Sequence, residues 1–298
     1  MYKCLILKIF RINTILKCAQ LDYSIFAASK FADMIKFIVT DVDGTLLNDQ
    51  HEIHPDFWKM EEELSAKGIQ FSIASGRQFY NLESKFERIK HRTMFFAENG
   101  TYVSFKGKEL YVNPIEKDAA VNFIEMGRKL EDTYVVLCGK DSAYIETSDK
   151  KFIDHISQFY ERLKVVEDLT QVDDTYLKVT YCNFNGVEDN TYPHFVDYTD
   201  RFKVAIAAKI FIDITALNAN KGNAIKGIQK EMNFTEEETL VFGDYLNDLE
   251  MMKVSAHSYA MKNAHPEVKE ASKFITSHDN NEHGVLRTIS DLGLASFS

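Results

Sequence analysis

Apolar and polar positions follow two regimes along the chain. At each end, short apolar runs alternate with stretches of helical spacing. The runs Ile35 to Val39, Ile69 to Ala74, Met94 to Ala97 and Thr239 to Phe242 have the near-continuous hydrophobicity of strands buried on both faces. Between the first two, Phe57, Met60 and Leu64 recur at helical intervals over His54 to Lys67, with Pro55 suited to the first turn and Gly68 to the stop. A second helix is expected from Arg77 to about Arg88. Strand, helix, strand, helix, strand is the order of a doubly wound parallel sheet, an α/β fold.

The pattern changes after residue 100. Tyr102 to Phe105 and Glu109 to Val112 flank Lys106-Gly107-Lys108 as a hairpin. From residue 115 to 214, helices (116–131, 149–162, 188–199) mix irregularly with strands (Tyr134 to Leu137, Ala143 to Glu146, Tyr176 to Cys182, Lys203 to Ile206, Ile210 to Ile214), which predicts an α+β insertion. The regular alternation then resumes. A helix runs from Asn220 to about Met232, followed by the strand at Thr239, a helix from Tyr245 to about Lys253, short strands at Ser258 to Met261 and Phe274 to Thr276, and helices at Pro266 to Ala271 and His283 to Ser290. The expected division is a parallel-sheet core over 34–114 and 215–298, an inserted domain over 115–214, and hinges near 113–116 and 213–218. Residues 1–33 are read as an extension outside the fold, with Met34 as the expected natural start.

Composition narrows the function classes. A chain of 298 residues fits about two domains. Its net charge is −10, and the first 33 residues carry five basic against two acidic side chains, leaving −13 for the remainder. That balance disfavours nonspecific nucleic-acid binding, which requires neutralising phosphates with Lys and Arg. No apolar run reaches the roughly 18 residues of a membrane span. Cys4, Cys18, Cys138 and Cys182 form no CxxC pair, which suits a reducing compartment and a cytoplasmic setting.

Candidate chemistry collects where apolar runs end. Asp41 and Asp43 stand one residue apart after the first strand, with Gly44 and Thr45 behind them. Two crowded carboxylates repel when ionised, so a divalent cation or divided acid/base labour would account for them, and a polar Asx turn is the plain alternative. Ser75 follows the second strand, Lys221 opens a helix, and Asp244, Asn247 and Asp248 follow the strand at Thr239. Singly, Ser75 and Asp244 read equally well as helix caps and Lys221 as a solvated lysine. Jointly they fall at one edge of a sheet, where ligands of open α/β folds bind.

DVDGT from Asp41, SGR from Ser75, NKG around Lys221 and GDYLNDLEM from Gly243 resemble, in order, the four motifs of the haloacid dehalogenase (HAD) phosphohydrolase superfamily. ENGTYV from Glu98 and the large insertion after the third strand are most similar to its Cof-type (subfamily IIB) branch of sugar-phosphate phosphatases. The resemblance spans Met34 to the C-terminus without departure at the catalytic positions. It implies a Rossmann-like core with an inserted cap and Mg²⁺-dependent hydrolysis of small phosphorylated metabolites through an aspartyl-phosphate. Asp41 would be the nucleophile and Asp43 the general acid and base. Ser75, Lys221 and Gly44 would serve phosphate binding. Asp41, the backbone carbonyl of Asp43 and Asp244 would hold the metal, with Asn247 and Asp248 orienting its waters. HAD ion pumps carry threonine where Asp43 stands, so rapid turnover is expected. The cap would choose the leaving group, with Lys140, Tyr144, Lys178, Tyr181 and Asn183 as candidates. Tyr134, Tyr144, Phe152, Phe159 and Tyr160 are read as the cap's own core. A phosphomutase and a catalytically silent metabolite-binding protein are the alternatives, and a monomer or small homo-oligomer is expected.

Overall fold

The structure is a computed structural model that describes residues 31–297. In chain order, β1 (Phe37–Thr40), α1 (Asp56–Ala66), β2 (Gln70–Ala74), α2 (Phe79–Lys85) and β3 (Met94–Ala97) form the first half of a doubly wound sheet. The hairpin β4 (Tyr102–Phe105) and β5 (Lys108–Val112) extends that sheet antiparallel to β3. The inserted stretch holds α3 (Lys117–Gly127), β6 (Thr133–Gly139), β7 (Ala143–Ile145), α4 (Lys150–Ile156), β8 (Leu163–Val165), β9 (Tyr176–Asn183), β10 (Phe202–Ala208) and β11 (Phe211–Ala216). The chain then returns with α5 (Lys221–Met232), β12 (Thr239–Gly243), α6 (Leu249–Met252), β13 (His257–Ala260), α7 (Pro266–Ala271), β14 (Phe274–Ile275) and α8 (Gly284–Asp291).

The eight-stranded sheet runs β14-β13-β12-β1-β2-β3-β4-β5 and is parallel from β14 to β3. β1 lies between β12 and β2, and every residue of it is buried, as its apolar run requires. The antiparallel hairpin makes the sheet mixed. The inserted strands form a second, six-stranded sheet in the order β10-β11-β9-β6-β7-β8. It carries α3 on one face, with Phe123, Ile124, Val179, Tyr181 and Phe195 packed there, and α4 on the other, with Val136, Phe152, Ile156 and Cys182. Most of the expected cap aromatics are core: Phe152 is fully buried and Tyr134 stacks on it at 4.1 Å, whereas Phe159 stays 44% exposed.

Two local expectations are corrected. The segment 188–199 forms two short 3₁₀ turns, Tyr192–His194 and Val196–Tyr198, instead of one helix. Pro193 has no N–H to donate, and Thr191 and Tyr192 both donate instead to the Val187 carbonyl. The expected helix over 149–162 stops at Ile156, and the chain turns to bury Tyr160 and add the unforeseen β8 beside β7. Cys138 and Cys182 are buried free thiols, and Cys4 and Cys18 lie outside the described residues. So does most of the expected extension. Of its last residues, Phe31 sets its ring edge-on to His257 at 4.8 Å. Among the described residues no helix is long and apolar enough to cross a membrane.

The segments joining the two sheets run side by side, tied by an Asn113 Nδ2 hydrogen bond to Asn218 Oδ1 at 3.0 Å. The sheets also meet directly. Gln78 exchanges two 3.0 Å hydrogen bonds with the backbone of Arg162, whose guanidinium lies 3.4 Å from the Tyr80 ring centroid. The turn after β3 is clamped harder still. Glu98, Asn99 and Gly100 all have positive φ, and a Cβ on Gly100 would stand 2.7 Å from the Asn220 carbonyl oxygen and 2.9 Å from Lys221 Cα. Only glycine fits between this turn and the start of α5. Gly100→Ala should therefore lower the unfolding free energy by about 2 kcal/mol, read as a lower urea midpoint at unchanged slope. Parental stability would show that the turn has room which the close approach denies.

Candidate active site

Each candidate residue leaves the carboxyl end of a strand of the eight-stranded sheet or opens an adjoining helix. Asp41 follows β1, and its N–H donates to the Phe242 carbonyl of β12 at 2.9 Å. The chain then turns sharply, closed by Leu47 N–H to the Val42 carbonyl at 2.9 Å. Gly44 supplies the left-handed residue of that turn, with φ +74°. A Cβ there would stand 2.4 Å from Asp244 Oδ2, so Gly44 also clears space for that carboxylate. Thr45 Oγ1 donates to the other oxygen of Asp244 at 2.8 Å.

Lys221 is the centre of the arrangement. It is fully buried at the first residue of α5, and Asn220 caps the helix by accepting the Asn223 N–H at 2.7 Å. Its ammonium donates to Asp41 Oδ1 at 2.5 Å and to Asp248 Oδ1 at 2.6 Å. Asp248 spends its second oxygen on the backbone N–H groups of Asp244 at 2.9 Å and Tyr245 at 3.2 Å. It therefore fixes both the lysine and the turn that presents Asp244. Asp41, Asp244 and Asp248 each bring a carboxylate oxygen within 4.8 Å of the others.

The charges do not balance. Three carboxylates face one ammonium, a surplus of two negative charges. Burial, with Asp248 and Asp244 beside it, pushes the Asp41 carboxyl well above its usual range despite the opposing Lys221. Asp244 is pushed up to about 6, chiefly by burial and then by Asp248 against the Thr45 hydrogen bond. Burial alone would discharge Lys221, but Asp248 and Asp41 outweigh it and hold the ammonium charged. A hard divalent cation neutralises this surplus, and an all-oxygen donor set suits Mg²⁺. The residues present therefore fit such an ion. Asp41 and Asp244 could hold it, because Asp248 has both oxygens already engaged. The side-chain cluster includes Asp248, which the motif comparison had placed behind the metal's waters.

Asp43 stands apart from the cluster. Arg77 grips both of its oxygens, through Nε at 2.7 Å and a terminal nitrogen at 2.6 Å, and His51 lies 3.3 Å away. Burial would raise this carboxyl, but the Arg77 hydrogen bonds and charge prevail and hold it below its ordinary value. Ser75 is buried beyond β2, next to β1, and accepts the Arg77 N–H at 3.2 Å; it does not cap the following helix, which begins at Phe79 behind Gln78. Asn247 turns to Asn99, donating at 2.9 Å.

Sequence reasoning assigned no role to Arg77, Thr45, Asn99 or Asn263, whose side chain donates to the Gly44 carbonyl at 2.8 Å. Arg77 had a signal in its position two residues after Ser75. Thr45 and Asn99 lay within the DVDGT and ENGTYV stretches, and Asn263 had no signal. Of the cap candidates, Tyr181 donates to the Phe123 carbonyl inside its own sheet's core and Asn183 holds Glu131 and Thr133. Tyr144 bonds Asp174 and Lys140 pairs with Glu109. Lys178 alone is buried where the two sheets meet, 2.9 Å from Glu98.

Comparison with known proteins identifies the family. The sequence profile of the haloacid dehalogenase-like hydrolases matches residues 38–289. The 5-amino-6-(5-phospho-D-ribitylamino)uracil phosphatase YbjI of Escherichia coli is 31% identical over 262 residues, covering 86% of this chain and 95% of that protein. The Bacillus subtilis phosphatase YcsE, named for the same compound, is 28% identical over 260 residues, covering 86% of this chain and 94% of its own. A solved structure from Eubacterium rectale, 28% identical, superposes with a TM-score of 0.80 over 87% of this chain and 99% of that one. The chain belongs to the haloacid dehalogenase-like hydrolases, as a phosphoric monoester hydrolase of their Cof-type phosphatase branch.

Proposed function

We propose that this protein hydrolyses a small phosphorylated sugar or polyol with Mg²⁺, through an aspartyl-phosphate on Asp41. The observation that carries the reading is the buried ammonium of Lys221 beside Asp41, 2.5 Å away, with the Asp244 carboxylate in the same cluster. The names of the E. coli and B. subtilis relatives make 5-amino-6-(5-phospho-D-ribitylamino)uracil the first substrate to test. The inserted six-stranded sheet acts as a cap over the site, moving on the segments near 113–116 and 217–218, the part of the expected 213–218 hinge that lies beyond β11, and the setting is cytoplasmic.

A carboxylate attacking a phosphate dianion is opposed by like charge, so the chain must supply positive charge and donors. Lys221 gives a charge fixed from two sides, and Ser75 a hydroxyl at the neighbouring strand end. Asp41 and Asp244 would hold Mg²⁺, which would offset charge on the phosphoryl oxygens. A carboxylate oxygen of Asp41 forms a bond to phosphorus as the bond to the leaving oxygen breaks. The leaving alkoxide takes a proton from Asp43. Water then attacks the same phosphorus, Asp43 accepts its proton, and the Asp41–phosphorus bond breaks to release phosphate. With Arg77 gripping it, Asp43 has the ionised state of the second step. Loosening that grip lets it carry the proton of the first.

Asp41→Asn should abolish phosphate release while the protein keeps its thermal midpoint, because Asp248 still neutralises Lys221. Asp43→Asn should cut kcat by about 10²-fold or more. Near-parental turnover of purified Asp41→Asn would refute the nucleophile assignment. EDTA should stop p-nitrophenyl phosphate hydrolysis, and added Mg²⁺ should restore it.

The crowded carboxylates also predict a pH dependence. A carboxyl whose folded-state value is raised stabilises the fold only while protonated, so metal-free stability declines as pH rises from the unfolded value through about 6 for Asp244. Mg²⁺ requires the ionised forms, so the rise in thermal midpoint that it causes should be larger near pH 7 than near pH 5. An equal shift at both, measured by differential scanning fluorimetry, would contradict the cluster as the metal site.

A further inference from the structure

A cleft of about 300 Å³ opens where the inserted sheet, the joining segment and the core meet. Phe202, Lys203 and Val204 of β10 line one wall, Leu217 belongs to the joining segment, and Asn220 and Glu250 close the core side. Successive side chains of a strand point to opposite faces, so three consecutive residues lining one cleft place it along the edge of the strand. β10 is the outer strand of its sheet, and that edge has no strand partner among the described residues. The volume is at the lower end of the range for small-molecule sites.

Two half-buried side chains of opposite charge belong to this cleft, and neither is paired. The Lys203 ammonium makes no hydrogen bond or ion pair among the described residues. The Glu250 carboxylate makes none either, and its Oε2 is buried without a donor. Ions removed from water are normally paired or hydrogen-bonded, so two left open at one cleft ask for a partner between them. Phe202 and Val204 pack against the core of the insertion yet stay half-buried, and Leu217 is 53% exposed. The cleft thus offers a cation, an anion and an apolar wall together. Its core side lies close behind the active site. Asn220 caps α5, whose first residue is Lys221, and a Cβ on Gly222 would stand 2.4 Å from the Glu250 carbonyl oxygen.

We propose that this cleft binds an α-amino acid with an apolar side chain, at a site separate from the phosphoryl centre. The carboxylate of the ligand accepts from Lys203, its ammonium donates to Glu250, and its side chain lies against Phe202, Val204 and Leu217. A ligand with one charge satisfies only one of the two ions, and an uncharged one satisfies neither with a charge-assisted bond. The walls come from the insertion, the joining segment and the core. A bound amino acid therefore favours the arrangement that brings the three together, which makes the cleft a place from which the position of the inserted sheet is biased. The proposal holds whichever ester the protein hydrolyses.

The test is isothermal titration calorimetry of the full chain with three probes. They are L-leucine, 4-methylpentanoate, which lacks the ammonium, and isoamylamine, which lacks the carboxylate. L-leucine should bind with a Kd of about 1 mM or tighter. Each analogue should bind about 10-fold more weakly or worse, the size of a lost hydrogen bond to a charged group. Lys203→Met should weaken L-leucine by about 10-fold and erase its advantage over isoamylamine. Glu250→Gln should erase its advantage over 4-methylpentanoate in the same way. Both variants retain the fold, because neither side chain has a polar partner to lose among the described residues. A weaker Kd for L-leucine, an analogue that binds as tightly, or variants that keep the parental order of affinities would each overturn the site.

Discussion

The site depends on one fully buried ammonium. Lys221 holds Asp41, 180 positions away in sequence, and Asp248, 27 positions away. A lysine emptied of water and left alone would lose its proton or unfold its helix start. The two carboxylates keep it charged, and in doing so they draw the ends of β1 and β12 and the first residue of α5 to one point. Sheet topology makes this possible, because β12 is the hydrogen-bonded neighbour of β1 although the whole insertion separates them in sequence. The glycines at 44 and 100 follow from that convergence. One clears Asp244, the other Lys221, and each is where the backbone comes too close for any side chain.

Much of this was legible in the sequence because the rules that place it are local. A run such as Phe37-Ile38-Val39 names a buried strand, and the polar residues that end such runs mark the ligand edge of a parallel sheet. Asp41, Lys221, Asp244 and Asp248 were readable in that way, and the structure brings all four together. What local rules did not supply was pairing. That Arg77 takes both oxygens of Asp43, or that Asn247 turns to Asn99, follows from how turns from different strands pack, and no periodicity encodes it. The inserted region was harder for a related reason. Its strands are short and its sheet is ordered by antiparallel and crossover pairings, so β8, three residues long and only partly buried, gave no apolar run to find. The misread stretch 188–199 has amphipathic spacing, but Pro193 and the double acceptor at Val187 decide its conformation.

The two polar clusters solve different problems with similar parts. Around Lys221 three carboxylates meet one ammonium; around Lys178 two carboxylates, Glu98 at 2.9 Å and Asp213 at 3.0 Å, meet another. Both clusters are assembled across element boundaries, and the second across the boundary between the sheets. The second cluster therefore ties the six-stranded sheet to the turn after β3.

Charge on the whole molecule sharpens that conclusion. The chain carries a net charge of −10, and a phosphate monoester approaches as a dianion. Long-range attraction does not draw the substrate in, and the far field opposes it. On the proposed reading, affinity comes from groups that act over a few ångströms, namely Lys221, the Ser75 hydroxyl and the cation that the carboxylates could hold. Such short-range recognition of the phosphate is blind to most of the leaving group. On the proposed reading, telling one phosphorylated metabolite from another falls to the insertion, which meets the core at the turn from Glu98 to Gly100.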